Sequence, residues 1–115
     1  MSTSTHTWKT VYIEGSQFKD EESFHREFSF KFGFPDNYGM NFDALYDCLS
    51  GLDLPGVSSR FKLGKNEEIV IQVKNALSFF DSGSSIYEQF FRTIIETNKK
   101  YKKSGSYTRI LIELI

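Results

Sequence analysis

With 115 residues and 39% hydrophobic content, the chain can build one modest core but not two ordinary domains. Nineteen aromatics, twelve of them Phe, supply enough apolar area to exclude a disordered chain, and no apolar run approaches the ~18–20 residues a membrane-spanning helix needs. The net charge of −1 hides an uneven distribution: residues 1–57 carry four Lys/Arg and nine Asp/Glu, a balance of −5, and residues 58–115 carry ten and six, a balance of +4.

Met1 to Thr7 reads as a flexible polar leader without a signal-peptide core, and residues 8–115 as a single domain. Trp8 to Glu14 is rich in β-formers, with Lys9, Val11 and Ile13 on one side and Trp8, Thr10 and Tyr12 on the other, which predicts a first strand. Asp20 can cap a helix in which Phe24, Phe28 and Phe32 stack at i, i+4 and i+8; Gly33 stops it and Pro35 prevents its resumption. A second, shorter helix runs from 42 to 50, with Asn41 as its N-cap and Gly51 at its end. Leu52 to Glu67 lacks clear periodicity and is long for a connection in a small domain.

Ile69, Val70, Ile71 and Val73 form a nearly continuous apolar run, the pattern of a strand buried on both faces or central in a parallel sheet. Asn75 to Phe80 predicts a short helix. Ser84 or Ser85 can cap a long one carrying Tyr87, Phe90, Phe91, Ile94, Ile95 and Tyr101 as far as Gly105, and Thr108 to Ile115 closes the chain as a strand. Strands separated by helices imply parallel pairing through right-handed crossovers, so the expected architecture is a small three-stranded α/β sheet with helices against it.

The helix at 42–50 holds the best functional clue. At about 100° per residue, Phe42, Leu45, Cys48 and Leu49 gather on one face while Asp43 and Asp47, at i and i+4, share another, with Tyr46 beside them. Like charges at that spacing weaken an isolated helix by a few tenths of a kcal/mol, so the pair reads as a site rather than a stability device. Cys48 is the single cysteine, which excludes an intrachain disulfide and suits a reducing, cytoplasmic compartment.

Pro35, Tyr38, Gly39, Asn41, Asp43, Ala44, Leu45, Asp47, Cys48, Leu49 and Gly51 stand in an order and spacing that resembles the barstar family, intracellular inhibitors of barnase-type ribonucleases. The resemblance implies a two-layer fold with a three-stranded parallel sheet, and an inhibitor that inserts its acidic helix and the preceding loop into a ribonuclease cleft. Asp47 matches the position that occupies the phosphate site, Asp43 a second acidic contact, and Tyr46 an aromatic of the contact helix. Tyr38, Asn37 and Gly51 complete the partner-binding residues so implied, and the implied partner is a basic extracellular-type ribonuclease or a toxin nuclease domain, bound one to one. The chain departs from the family where Asn37 replaces a first tyrosine, Met40 an acidic residue and Leu52 an aromatic. Its connection after Gly51 is also longer, and Glu96 is the nearest counterpart of a further glutamate. An interaction module for another nuclease or toxin is the alternative within the same resemblance.

Other readings of these residues stand beside that one. Tyr38 could equally be core, its ring beneath the loop. Gly39 suits a positive φ, and capping explains Asn41 fully. Catalysis by two carboxylates needs a cleft and environments that push their pKa values apart, which one exposed face of one helix does not supply. Cys48 with His25 as nucleophile and base lacks any surrounding motif, and two Asp without a clustered His, Cys or third carboxylate are too few to hold a metal; no cofactor is implied. Lys99, Lys100, Lys102 and Lys103 around Tyr101 resemble a nucleic-acid patch, but lysines suit the last turns of any helix, and the isoelectric point near 6.1 opposes that reading.

Overall fold

The computed structural model describes residues 7–54, 59–64, 67–81 and 84–115. Three strands, β1 (Thr7–Glu14), β2 (Glu67–Lys74) and β3 (Arg109–Leu114), form one parallel sheet in the order β1-β2-β3. Its helices are α1 (Glu21–Phe32), α2 (Phe42–Ser50), α3 (Ala76–Asp81) and α4 (Ser84–Lys103), with a 3-10 turn at Gly15–Gln17. The expected α/β architecture with a three-stranded parallel sheet is therefore present. Thr7, assigned above to the leader, opens β1 opposite Glu67, and residues 1–6 lie outside the described residues.

The apolar run of β2 reads as a strand either covered on both faces or central. It is central, but only one face is covered: Ile69, Ile71 and Val73 are buried while Val70 and Gln72 are half-exposed. Val11 and Ile13 of β1 and Ile110 of β3 complete the buried face, whereas Trp8, Tyr12 and Leu111 point to solvent on the other. The helices stand against the buried face, which makes the molecule two-layered.

Aromatic rings fill the space between the layers. Phe24, Phe28 and Phe32 of α1 are fully buried, as the i, i+4, i+8 spacing requires. Phe28 has ring centroids of Phe24, Phe90 and Phe32 at 4.6, 5.2 and 5.7 Å, and Phe24 lies 5.3 Å from Phe42 of α2. Asp20 and Ser23 form a reciprocal capping box at the start of α1, and Gly33 ends it in the left-handed conformation at φ 68°. On α4, Phe90, Ile94 and Tyr101 are buried as expected, but Ile95 is exposed because the helix turns it away from both sheet and α2. Ser84 and Ser85 already lie within α4, so the capping position ahead of them falls outside the described residues.

Two polar devices fix the frame that carries α2. The Asn98 side chain donates to the Ile110 carbonyl and accepts from its amide, satisfying outward groups of the edge strand β3. The aperiodic connection 52–67 is fastened where it is described: the Arg60 amide and the Ser59 hydroxyl both donate to the Phe32 carbonyl, and Leu63 donates to Leu52. Thr108 further donates to the Gly64 carbonyl.

Candidate functional site

The polar face of α2 is built by what holds the rest of that helix. Asn41 caps it as expected, its side chain accepting the Ala44 amide at 2.7 Å. Leu45 and Leu49 are buried without exposure, and the flanking residues Phe42 and Cys48 are only half-buried, so the apolar stripe is deep at its centre and shallow at its edges. At the other end the Tyr101 hydroxyl of α4 donates to the Leu49 carbonyl and accepts the Leu52 amide, while the Lys100 ammonium donates to the Ser50 carbonyl at 2.6 Å. Orphan carbonyls of the last turn are thereby satisfied by a neighbouring helix rather than by a left-handed glycine. Gly51 has φ −109° and is buried, so it ends the helix without presenting a surface.

Asp43 and Asp47 are exposed one turn apart. Among the described residues no hydrogen bond or ion pair engages either carboxylate. Tyr46, half-buried, leans toward α4. A groove of about 350 Å³ opens there between the two helices, lined by Phe42, Asp43 and Tyr46 from α2 and by Gln89, Arg92, Thr93 and Glu96 from α4. Glu96 and Tyr46 also line a second hollow of about 410 Å³ with the terminal lysines of α4. The structure thus brings Asp43, Tyr46 and Glu96 to one place, with Asp47 on the same side of α2.

The loop ahead of α2 divides into an anchored part and a displayed part. Phe34 and Tyr38 are buried, with ring centroids 4.9 Å apart, and the Tyr38 hydroxyl lies 2.7 Å from Nδ1 of the fully buried His25. Tyr38 is therefore core, the second of the two roles open to it from sequence. Asn37, Gly39 and Met40 are exposed. The positive φ expected of Gly39 belongs instead to Met40, at 55°; a Cβ on Gly39 would stand 3.2 Å from Cβ of Ala44, so close approach to α2 is what favours glycine there.

Burial works against the catalytic pair imagined from His25 and Cys48. It holds the His25 imidazole down at about 4, so the ring is neutral near pH 7, and it pushes the Cys48 thiol up, with the Asp47 charge adding to the rise. A neutral thiol beside a carboxylate is a poor nucleophile. Among the described residues no group of three or more His, Cys, Asp or Glu could hold a metal ion, and no helix is long and apolar enough to cross a membrane. Tyr101 is fully buried and cannot stack on a base, which removes the aromatic from the proposed nucleic-acid patch.

Sequence reasoning found α2 and offered Glu96 of α4, but missed Gln89, Arg92 and Thr93 beside it. Gln89, Thr93, Glu96 and Lys100 recur at three- and four-residue steps, the stripe of α4 that faces α2. That period was the available signal; it is polar, and a polar stripe usually means solvent.

A family model described as Barstar (barnase inhibitor) matches residues 8–113. The chain is also 46% identical over 48 residues to a Bacillus subtilis (strain 168) protein named "Putative ribonuclease inhibitor YrdF"; the match takes in 41% of this chain and spans about half, 53%, of that relative.

Proposed function

Because the chain belongs to the barstar family, we propose that it is a cytoplasmic inhibitor of a basic ribonuclease or toxin nuclease domain, bound one to one, and has no hydrolytic activity of its own. The α2 face and the exposed part of loop 35–41 enter the enzyme's cleft, with Asp47 in the place of a substrate phosphate and Asp43, Tyr46 and Asn37 beside it. A ribonuclease must gather Arg, Lys and His around a phosphodiester, and a rigid carboxylate at phosphate height pairs with those cations and excludes RNA. The observation that carries this reading is that Asp43 and Asp47 are exposed and unpaired on a helix locked at both ends. Tyr38 and Gly51, buried, support the surface from below.

The acidic first half of the sequence does not stand apart in space, since α2 packs on α4 and the lysines of its last turns border Tyr46. The steering field is therefore a narrow acidic ridge beside a basic border. It favours a partner with a cationic cleft and an acidic rim.

Titrating the purified chain into barnase-like and toxin-domain ribonucleases tests the proposal: activity of the matched enzyme should fall linearly to zero at equal concentrations, and raising salt should slow association. A panel left uninhibited at micromolar chain overturns it.

A further inference from the structure

The open face of the sheet takes no part in the inhibitory surface, because α2 lies in the helical layer against the other face. It is also apolar at its centre. Strand register lays nine of its side chains out in three rows: Trp8, Glu68 and Arg109; then Thr10, Val70 and Leu111; then Tyr12, Gln72 and Glu113. Beyond the third row come Glu14 and Lys74, and the Lys74 ammonium lies 4.9 Å from the centroid of the Tyr12 ring. Trp8 is 65% exposed, Tyr12 50% and Leu111 42%. A Trp, a Tyr and a Leu left to water on one small face form the kind of patch that marks an interaction surface.

We propose that this face seats a second copy of the same chain, related by a two-fold axis that lies in the interface along the middle row. The argument is the arrangement of charge. Such an axis exchanges the first and third rows within each strand and brings the middle row onto itself. Arg109 of one copy then faces Glu113 of the other, Glu68 faces Gln72, and Trp8 faces Tyr12. Thr10, Val70 and Leu111 meet their own counterparts, which puts the apolar residues at the centre and the charges at the edge. No like charges oppose each other among these residues. The Gln72 amide already holds one oxygen of Glu113 at 2.6 Å, fixing that carboxylate at the edge where the partner's guanidinium would arrive. Strand directions reverse between the copies, and two twisted sheets pack face to face at about −30° in that way.

The patch is small. Strand spacing of about 4.8 Å and about 6.7 Å between successive residues on one face give on the order of 300 Å² per copy, roughly a third of a standard interface. The dimer is accordingly weak and reversible. Both α2 faces remain outward in it, so a dimer carries two inhibitory surfaces.

Sedimentation of the full chain, followed from roughly 10 µM to roughly 1 mM, should show the mass rising from one chain toward two. Trp8 is the single tryptophan, and its emission should shift to the blue over the same range as the ring leaves water. Leu111→Lys sets two ammonium groups against each other across the axis and should weaken the dimer at least ~10-fold with the melting temperature little changed. Glu113→Arg should weaken it too, and the double swap Arg109→Glu with Glu113→Arg should restore it. Arg109 also donates to the Ser106 and Thr108 carbonyls, so where the swap melts early the Leu111→Lys result decides. A parent chain that stays monomeric at the highest concentration, a Leu111→Lys variant that dimerises like the parent, or a well-folded double swap weaker than Glu113→Arg alone overturns the proposal. Each is read as mass, independently of any nuclease.

Discussion

α1 and α2 begin with the same local chemistry. Asp20 accepts the Ser23 amide at 2.8 Å, Asn41 accepts the Ala44 amide at 2.7 Å, and each helix then buries one apolar face in a shared core. They part company on the outer face. On α1 the charges alternate in sign and meet at i, i+4, Glu22 with Arg26 at 2.8 Å and Glu27 with Lys31 at 3.9 Å. On α2 the same spacing holds Asp43 and Asp47, with no cation between them. The rule that stabilises an isolated helix is obeyed by one and broken by the other, within a single small domain. A helix that satisfies itself needs nothing further; one that keeps like charges together leaves their complement to another molecule.

The largest way to break the comparison is to attack the self-sufficient helix from inside. Phe28→Ala removes a fully buried ring that touches Phe24, Phe32 and Phe90, and should cost about 3–5 kcal/mol of stability, seen as a much lower melting temperature. Inhibition by the fraction that remains folded should be unchanged, because α1 lies behind the proposed surface. Next, Asp47→Ala should do the reverse. Melting stays level or rises slightly as repulsion within α2 is relieved, while nuclease affinity falls by roughly 2–5 kcal/mol, mostly through faster dissociation. Asp43→Ala should weaken binding less. If Asp47→Ala inhibits as tightly as the parent, the contrast between the helices has no functional meaning.

Acid should loosen the contact by which α1 supports the loop ahead of α2. His25 is buried against Tyr38 and Phe42, with the Glu21 carboxylate 3.7 Å from its other nitrogen. Its folded-state value of about 4 lies below the ordinary imidazole value, so the unfolded chain takes up the proton first as pH falls. The contribution is full above about pH 6.5 and is lost as pH falls toward 4. Urea unfolding at stepped pH should show stability falling across that window, and His25→Gln should flatten the slope. The smallest effect concerns the shared start of the two helices: Asn41→Ala should cost about 1 kcal/mol of melting stability and leave the surface chemistry of α2 in place.

The contrast between the helices also explains what could be read from sequence. The bounds of α2, the phenylalanine stripe of α1 and the central place of β2 follow from spacing, capping and turn residues, all local matters. Gly39 was misread because a positive φ and a close approach leave the same letter in the chain, and only the position of Ala44 distinguishes them. Tyr38 stayed ambiguous because its partner, His25, is thirteen residues away on α1. The open face of the sheet was invisible for a similar reason: Val70 between Ile69 and Ile71 looks continuous, and whether a second layer of helices covers it depends on which side the crossovers pass. The clamp of Lys100 and Tyr101 on the end of α2 joins residues about fifty positions apart, where lysines near a helix terminus already had a sufficient local explanation.

The parallel sheet imposes a schedule on synthesis. β1 has no hairpin partner, since its neighbour β2 begins at Glu67, and β2 in turn waits for β3 at Arg109. Every strand pairing closes a long loop before any contact rewards it, the costly kind of topology for folding speed. During translation, Trp8 to Ile13 emerges well ahead of β2 and remains without its sheet until Glu67 and the residues after it are made. α2 is complete in sequence early, but Tyr101, which anchors its far end, follows about fifty residues later. The acidic helix therefore acquires its fixed geometry only once α4 has been made, and a product truncated before α4 would carry both aspartates without the frame that aims them.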